Sequence, residues 1–179
     1  MATISFARGA PSLDIVDVEG LREAAQQAFT DDPGGTTAYG TSVGYVPLRE
    51  WIASQHGVEV DQVLVTNGSM QADAFLFQLL VDAGDPVVVE SPTYDRTLTL
   101  LRRHGVRVVG IPLEPDGPDV AALEARLKAQ VPKLFYVIPD FQNPTGATCS
   151  GAKRKVLVEL AERHGFLLLE DAPYRLLRY

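Results

Sequence analysis

From residue 62 onward, the sequence alternates between short apolar runs and stretches with helical periodicity. Near-continuous apolar runs are typical of strands buried on both faces of a parallel sheet, and the stretches between them are long enough for helices that cross back over it. We therefore predict an α/β fold with a largely parallel sheet and helices on both faces. The predicted strands are Val63–Thr66, Val87–Glu90, Val106–Ile111, Leu134–Ile138 and Phe166–Leu169, and the predicted helices are Gln71–Val81, Asp95–Arg103, Val120–Ala129 and Ala152–His164.

The first third of the chain is less regular. One amphipathic stretch, Val18–Phe29, predicts a helix, and the run Asp31-Asp32-Pro33-Gly34-Gly35 that follows predicts a turn. We predict an N-terminal arm and linker over residues 1–33 and the main domain over residues 34–179.

Composition and charge narrow the function classes. The chain has 179 residues, 46% of them hydrophobic, and can bury a core. Its net charge of -7 and its scattered arginines make nucleic acid a poor partner. No run approaches the ~20 apolar residues of a membrane helix. A single cysteine, Cys149, cannot form an internal disulfide, and no signal-peptide pattern is present, so we expect a cytoplasmic protein.

Ligands of parallel sheets gather at the carboxyl ends of the strands, and the residues there are informative. Gly68-Ser69-Met70 leads into a predicted helix, where free amides and the helix dipole suit a phosphate. The alternative is that Ser69 only caps the helix. Tyr94 comes after the next strand, where its ring either lies on a planar ligand or packs in the protein.

Two further polar residues follow the last two predicted strands. Pro144 forces Asn143 away from helical geometry and Gly146 lets the chain turn, so a stiff loop presents the Asn143 amide. Asp171 follows an apolar strand, where a carboxylate needs a cationic or hydrogen-bonding partner, and a protonated pyridine nitrogen would be one. The alternative for Asp171 is a helix cap or a surface acid.

Taken in order, these motifs resemble the fold-type I pyridoxal phosphate-dependent class I/II aminotransferases, in particular those of the 2-aminoadipate and aromatic amino acid kind. The resemblance spans nearly the whole chain. The matching segments are Gly9-Ala10-Pro11, Tyr39-Gly40, Gly44 to Arg49, Thr66 to Ala72, Glu90 to Tyr94, Phe141 to Gly146 and Glu170 to Tyr174. The same domain also occurs as the effector half of a group of transcription regulators.

The resemblance implies a role for each matching residue. Gly68, Ser69 and Met70 would bind the phosphate of pyridoxal 5'-phosphate, and Tyr94 would stack on its ring. Asn143 and Tyr174 would bind the ring hydroxyl, and Asp171 the pyridinium proton. The remaining implied roles are a substrate contact for Gly9 and Asn143, a phosphate contact across a homodimer for Tyr39, and cis peptide bonds at Ser91-Pro92 and Asn143-Pro144.

The resemblance also has a gap, because the family places its Schiff-base lysine beyond the position that corresponds to Tyr179. The four lysines of this chain do not take its place: Lys128, Lys133, Lys153 and Lys155 all read as solvated side chains. We therefore expect residues 34–179 to be the N-terminal part of a cofactor-binding large domain, which alone is inactive.

Three functions stay open at this stage. The first is transfer of an amino group from an amino acid to a 2-oxo acid. The second is a non-catalytic effector domain that binds pyridoxal phosphate or an amino acid, and the third is a nucleotide-binding domain, for which Gly68 lacks the companion glycines. No metal site is expected, because His56, His104 and His164 each precede a glycine at a predicted helix end.

Overall fold

A computed structural model of the chain describes residues 14–177. Within it the chain divides into two compact parts, with the division between Val65 and Thr66. The first part is helical, and the second contains a five-stranded sheet with four helices. The predicted boundary between residues 33 and 34 does not coincide with this division and stays a prediction.

The first part contains three helices, α1 (Val18–Asp31), α2 (Pro33–Thr37) and α3 (Val46–His56), followed by a 3₁₀ turn at Val60–Gln62. The predicted break in the helical pattern is present, because α1 ends at Asp31, but residues 33–35 begin α2, whose N-cap Asp32 accepts from Gly35 N. Arg49 is buried, and its guanidinium donates to the carbonyls of Val60 and Val63. These bonds fasten the 3₁₀ turn to α3.

The predicted strand Val63–Thr66 is also wrong. The segment is extended at Val63, but it joins no sheet, and Leu64 is 54% exposed. Its bonds are turn bonds at its two ends, a bond from Arg49 to the Val63 carbonyl, and a backbone bond from Val65 N to Val43 O. A strand is defined by a pairing partner, and among the described residues this apolar run has none.

The second part confirms the predicted α/β alternation. Its elements are α4 (Ser69–Leu80), β1 (Pro86–Ser91), α5 (Asp95–His104), β2 (Arg107–Glu114), β3 (Gly117–Pro118), α6 (Val120–Ala129), β4 (Leu134–Val137), α7 (Gly151–His164) and β5 (Leu167–Glu170). The strand order is β3-β2-β1-β4-β5, and only the short β3 is antiparallel to its neighbour.

Each face of the sheet has its own core. Phe77, Leu101 and Tyr136 belong to one apolar cluster, to which α4 and α5 contribute. Leu123, Phe135 and Leu157 belong to the other, to which α6 and α7 contribute. Strands β1 and β4 are buried as predicted, whereas β5 is half-exposed, because it lies at the end of the strand order and has one neighbour.

Candidate functional site

The strand order places a crevice at the carboxyl ends of the neighbouring strands β1 and β4. The chain leaves β1 for β2 on one side and β4 lies on the other side of β1, so the connections after β1 and β4 diverge. Such a switch point is where open parallel sheets bind their ligands. A cavity of about 160 Å³ lies there, and its walls are formed by Ser69, Met70, Tyr94, Ile138, Asn143, Asp171, Pro173 and Tyr174.

Six of the eight predicted cofactor-binding residues therefore line one cavity. Gly68 directly precedes two of them, and it begins α4 as the residue before the first helical turn. Tyr39 belongs to the first part of the chain and is fully exposed there. Gly9, the predicted substrate contact, lies outside the described residues.

The start of α4 is built as an open helix end. Gly68 has φ of +80°, a conformation that favours glycine, and no side chain in the described part caps the helix. The alternative that Ser69 caps the helix is wrong, because Ser69 is already the first helical residue. Bonds from Thr66 Oγ1 to Gly68 O and from Asn67 N to Gln71 Oε1 hold the preceding loop. Within residues 14–177 the amides of Ser69 and Met70 have no acceptor, so they can bind an anion.

The loop that carries Asn143 is held from below by Gln142, whose side chain is buried. Gln142 Nε2 donates to Glu90 Oε2 at 3.1 Å and to the Pro92 carbonyl at 2.8 Å. Its Oε1 accepts from Thr145 N at 3.0 Å and from Thr145 Oγ1 at 2.7 Å. The two predicted cis peptide bonds, Ser91-Pro92 and Asn143-Pro144, are both present.

Glu90 lies inside β1 and is almost fully buried. One of its oxygens, Oε2, accepts both from Ile138 N, at 3.1 Å, and from Gln142. Burial raises the pKa of Glu90 to about 7, and these two donors act in the opposite direction. Glu90 therefore couples the end of β1 to the end of β4 and to the Asn143 loop.

The base of the same loop is tied to α7. Arg154 donates to Asp140 Oδ1 at 2.8 Å, to the Pro139 carbonyl at 2.9 Å and to the Cys149 carbonyl at 2.9 Å. Asp140 is buried, and this ion pair supplies a partner for Oδ1, whereas Oδ2 has no hydrogen-bond partner among the described residues. The Asn143 side chain is thus presented by a loop fixed at both ends.

Asp171 is held by β4. Its N–H donates to the Val137 carbonyl at 2.9 Å, and Asp171 Oδ2 accepts from the Tyr136 hydroxyl at 2.6 Å. Burial, and then the hydrogen bond to Asp171, raise the pKa of Tyr136 well above its usual range, so the phenol remains a donor. Asp171 is not a helix cap, because the segment after it forms a turn.

The chain brings no lysine to this cavity, whose walls contain none among the described residues. Lys153 pairs with Glu114 and Asp116, which raise its pKa, although burial acts in the opposite direction. The three histidines end α3, α5 and α7 as predicted, each followed by a left-handed glycine. Within residues 14–177, no cluster of three or more His, Cys, Asp or Glu is arranged to hold a metal ion.

A model of the family described as aminotransferase class I and II matches residues 2–177. The chain belongs to this family. It is 36% identical over 172 residues to a 2-aminoadipate transaminase of Thermus thermophilus, covering 96% of this chain and 43% of that protein. It is 35% identical over 187 residues to an aromatic-amino-acid aminotransferase of Thermococcus litoralis, covering 98% of this chain and 45% of the relative.

The fold agrees with this assignment. A solved α-aminoadipate aminotransferase from Thermus thermophilus, in complex with N-(5'-phosphopyridoxyl)-L-leucine, superposes with a TM-score of 0.89 at 36% identity. The match covers 95% of this chain and 44% of that structure. The chain thus spans less than half the length of the relatives it matches. No helix in the described part is both long enough and apolar enough to cross a membrane.

The sequence did not single out four residues that support the site. Glu90 and Gln142 stood inside recognised motifs but had no assigned role, while Asp73 and Tyr136 stood inside stretches assigned only to a helix and a strand. An acid within a continuous apolar strand was the available signal for Glu90, because it needs a buried partner. No local pattern marks Tyr136, whose partner lies 35 residues away.

Proposed function

We propose that this protein is a pyridoxal phosphate-dependent aminotransferase that moves an amino group from an amino acid to a 2-oxo acid. The observation that carries the proposal is the cavity at the sheet edge, where an uncapped helix start, Asn143, Asp171 and Tyr174 face one space. An anion site and a carboxylate acceptor around the same cavity fit the phosphate and the ring nitrogen of this cofactor.

Each wall of the cavity has a proposed task. The amides of Gly68, Ser69 and Met70 bind the phosphate, and Tyr94 covers the ring. Asp171 keeps a proton at the ring nitrogen, while Asn143 and Tyr174 donate to the ring hydroxyl. When bound, pyridoxal phosphate supplies an electron sink that stabilises negative charge at the Cα of the amino acid.

Other parts of the proposal concern the larger protein. We propose that the lysine that binds the cofactor, and the group that binds the substrate carboxylate, come from sequence outside these 179 residues, because the relatives are more than twice as long. Gly9 and Asn143 would contact the amino acid. Tyr39 would reach the phosphate bound by a neighbouring subunit of a homodimer, and its full exposure leaves it available for that contact. A cytoplasmic location remains a proposal.

Binding of pyridoxamine 5'-phosphate, measured by isothermal titration calorimetry, tests the cofactor site directly. This probe carries an amine and does not condense with lysines, so it reports the walls of the cavity alone. We expect Asp171→Asn to weaken binding about tenfold, because a charge-assisted hydrogen bond is lost. Ser69→Asp should weaken it at least about tenfold, because it places a negative charge where the phosphate binds.

The control is Ala152→Asp, which adds the same charge to the first turn of α7, outside the cavity. It should change the affinity by less than about twofold. Absence of binding by the unsubstituted chain, or equal effects of Ser69→Asp and Ala152→Asp, would overturn the assignment of the site. Binding is common to the enzyme and to a regulator's effector domain, so amino-group transfer by the full-length protein separates these two functions.

A further inference from the structure

A second carboxyl group, Asp73, lies behind the cavity wall. It belongs to α4, one turn beyond Ser69, and only 4% of it is exposed. Thr97, a fully buried residue of α5, donates from its hydroxyl to Asp73 Oδ2 at 3.4 Å. The cofactor-binding roles proposed above make no use of either residue.

The same threonine connects Asp73 to the site. The Thr97 side chain also acts on the Tyr136 phenol, whose pKa it lowers against the larger effect of burial, and that phenol donates to Asp171 Oδ2 at 2.6 Å. Asp73, Thr97, Tyr136 and Asp171 thus form a series of polar groups from α4, α5, β4 and the segment after β5. Phe77, Leu101 and other apolar side chains of one core cluster surround Tyr136.

The direction of the hydrogen bonds in this series depends on the number of protons that the two carboxyl groups carry. With both carboxyl groups ionised, Thr97 donates to Asp73 and Tyr136 donates to Asp171, and no hydrogen remains to join the two hydroxyls. With one added proton on Asp73, each group donates to the next, from Asp73 through Thr97 and Tyr136 to Asp171. Burial, and then the charge of Asp171, raise the pKa of Asp73 to about 6, which favours this second arrangement near that pH.

We propose that Asp73 is a positioning residue for Asp171, which acts through Thr97 and Tyr136 and releases its proton when a protonated pyridine ring binds at Asp171. This inference rests on the proposed function. Burial and then the charge of Asp171 favour a neutral Asp73, and the positive ring relieves the second of these two causes by offsetting the charge of Asp171. By linkage, an ionised Asp73 in turn tightens binding of the charged ring. The groups that face Asp73 are Thr97, Tyr136 and Asp171.

The test compares the unsubstituted chain with Asp73→Asn in calorimetric titrations of pyridoxamine 5'-phosphate at pH 5 and at pH 7.5. Asparagine keeps the shape of Asp73 but cannot ionise. At pH 5 both residues are neutral, so the two affinities should agree within about twofold. At pH 7.5 the variant should bind about tenfold more weakly. Titration of the probe and of Asp171 is common to both proteins and cancels in the ratio.

A purely structural role for Asp73 would weaken binding equally at both pH values, and that result overturns the proposal. A second pair of variants tests the connection through α5. Thr97→Val removes the donor that favours the ionised form of Asp73 and breaks the connection to Tyr136, so binding at pH 7.5 should weaken as it does in Asp73→Asn. Thr97→Ser keeps the hydroxyl and should restore binding to within about twofold.

This pair decides the matter even when Asp73→Asn does not fold, because equal affinities of Thr97→Val and Thr97→Ser at pH 7.5 contradict the proposal. Proton release on binding, measured at pH 6 in buffers of different ionisation enthalpy, gives an independent readout that Asp73→Asn should reduce. If Asp171→Asn weakens binding but Asp73→Asn has the same effect at pH 5 and at pH 7.5, this inference is overturned and the proposed function is not. Absence of binding by the unsubstituted chain overturns it together with the proposed function.

Discussion

The two polar sides of the cavity are supported in different ways. On one side the Asn143 loop rests on Glu90, which accepts from the Ile138 backbone N–H and from Gln142, both at 3.1 Å. On the other side Asp171 accepts from the Tyr136 hydroxyl at 2.6 Å, and Asp73 accepts from the Thr97 hydroxyl at 3.4 Å. Both supporting acids are buried, and both have a raised pKa.

The two sides differ in whether their hydrogen-bond donors can also act as acceptors. A backbone N–H has one direction, so it holds the end of β4 and Glu90 in a fixed arrangement, and Gln142 adds two further bonds on its amide oxygen. Hydroxyl groups rotate and serve as donor or acceptor, so the series at Asp171 can exchange one arrangement for another. We infer that Glu90 and Gln142 hold the Asn143 loop in one position, and we call this the fixed side of the cavity. The hydrogen bonds on the Asp171 side can rearrange when the charge in the cavity changes.

The largest effect is expected from Gln142→Leu, which breaks the fixed side. Leucine fills the space but removes the amide that serves Glu90, Pro92 and Thr145 together. Buried groups that lose their partners keep the full cost of their desolvation, so the free energy of unfolding should fall by about 4 kcal/mol. Urea unfolding followed by circular dichroism measures this loss.

The matched control is Gln26→Leu, the same substitution on an exposed position of α1. It should change the free energy of unfolding by less than about 0.5 kcal/mol. A loss below about 1 kcal/mol in Gln142→Leu would show that the loop does not depend on this amide, and the contrast between the two sides of the cavity would disappear.

The next largest effect is expected in the pH dependence of the free energy of unfolding, which Glu90→Gln should change. The pKa of Glu90 rises from an ordinary 4.5 to about 7 in the folded chain, because burial disfavours its charge. The folded state therefore binds the proton more tightly, and this contribution to stability is complete below pH 4.5 and lost as the pH rises through about 7.

Between pH 4 and pH 8 the unsubstituted chain should lose about 3 kcal/mol of stability relative to Glu90→Gln, which cannot titrate. Urea unfolding at one-unit pH intervals gives the difference between the two proteins. Parallel stability curves would mean that Glu90 does not titrate in this range, and that the two donors outweigh its burial.

The comparison also shows which features a sequence reveals. The runs Val87–Glu90 and Leu134–Ile138 predicted β1 and β4 to within one residue at each end. Such strands satisfy a rule that the chain states locally, because a doubly buried strand must be apolar along its length. Val63–Thr66 is similarly apolar and forms no strand, since pairing depends on a neighbour that composition does not encode.

The site residues also divide into those that local sequence patterns predict and those that depend on packing between distant segments. Turn and helix-start chemistry predicted Gly68, Asn143 and the residues beside them, because a glycine with positive φ and an amide before proline leave local marks. The supports behind them were missed. Tyr136 reaches Asp171 across 35 residues and Gln142 reaches Glu90 across 52, and only the packing of the sheet brings such pairs together.

The smallest effect is expected from Thr145→Val, which removes a single side-chain hydrogen bond to Gln142. Thr145 is exposed, and its hydroxyl donates to Gln142 Oε1 at 2.7 Å and accepts from Ala147 N at 3.2 Å. Valine keeps the branched shape and the backbone bond to Gln142, so the free energy of unfolding should fall by about 1 kcal/mol in urea unfolding. A loss as large as that of Gln142→Leu would place the strength of the loop in this one hydroxyl. A loss near zero would mean that Gln142 holds the loop through its bonds to Glu90 and Pro92.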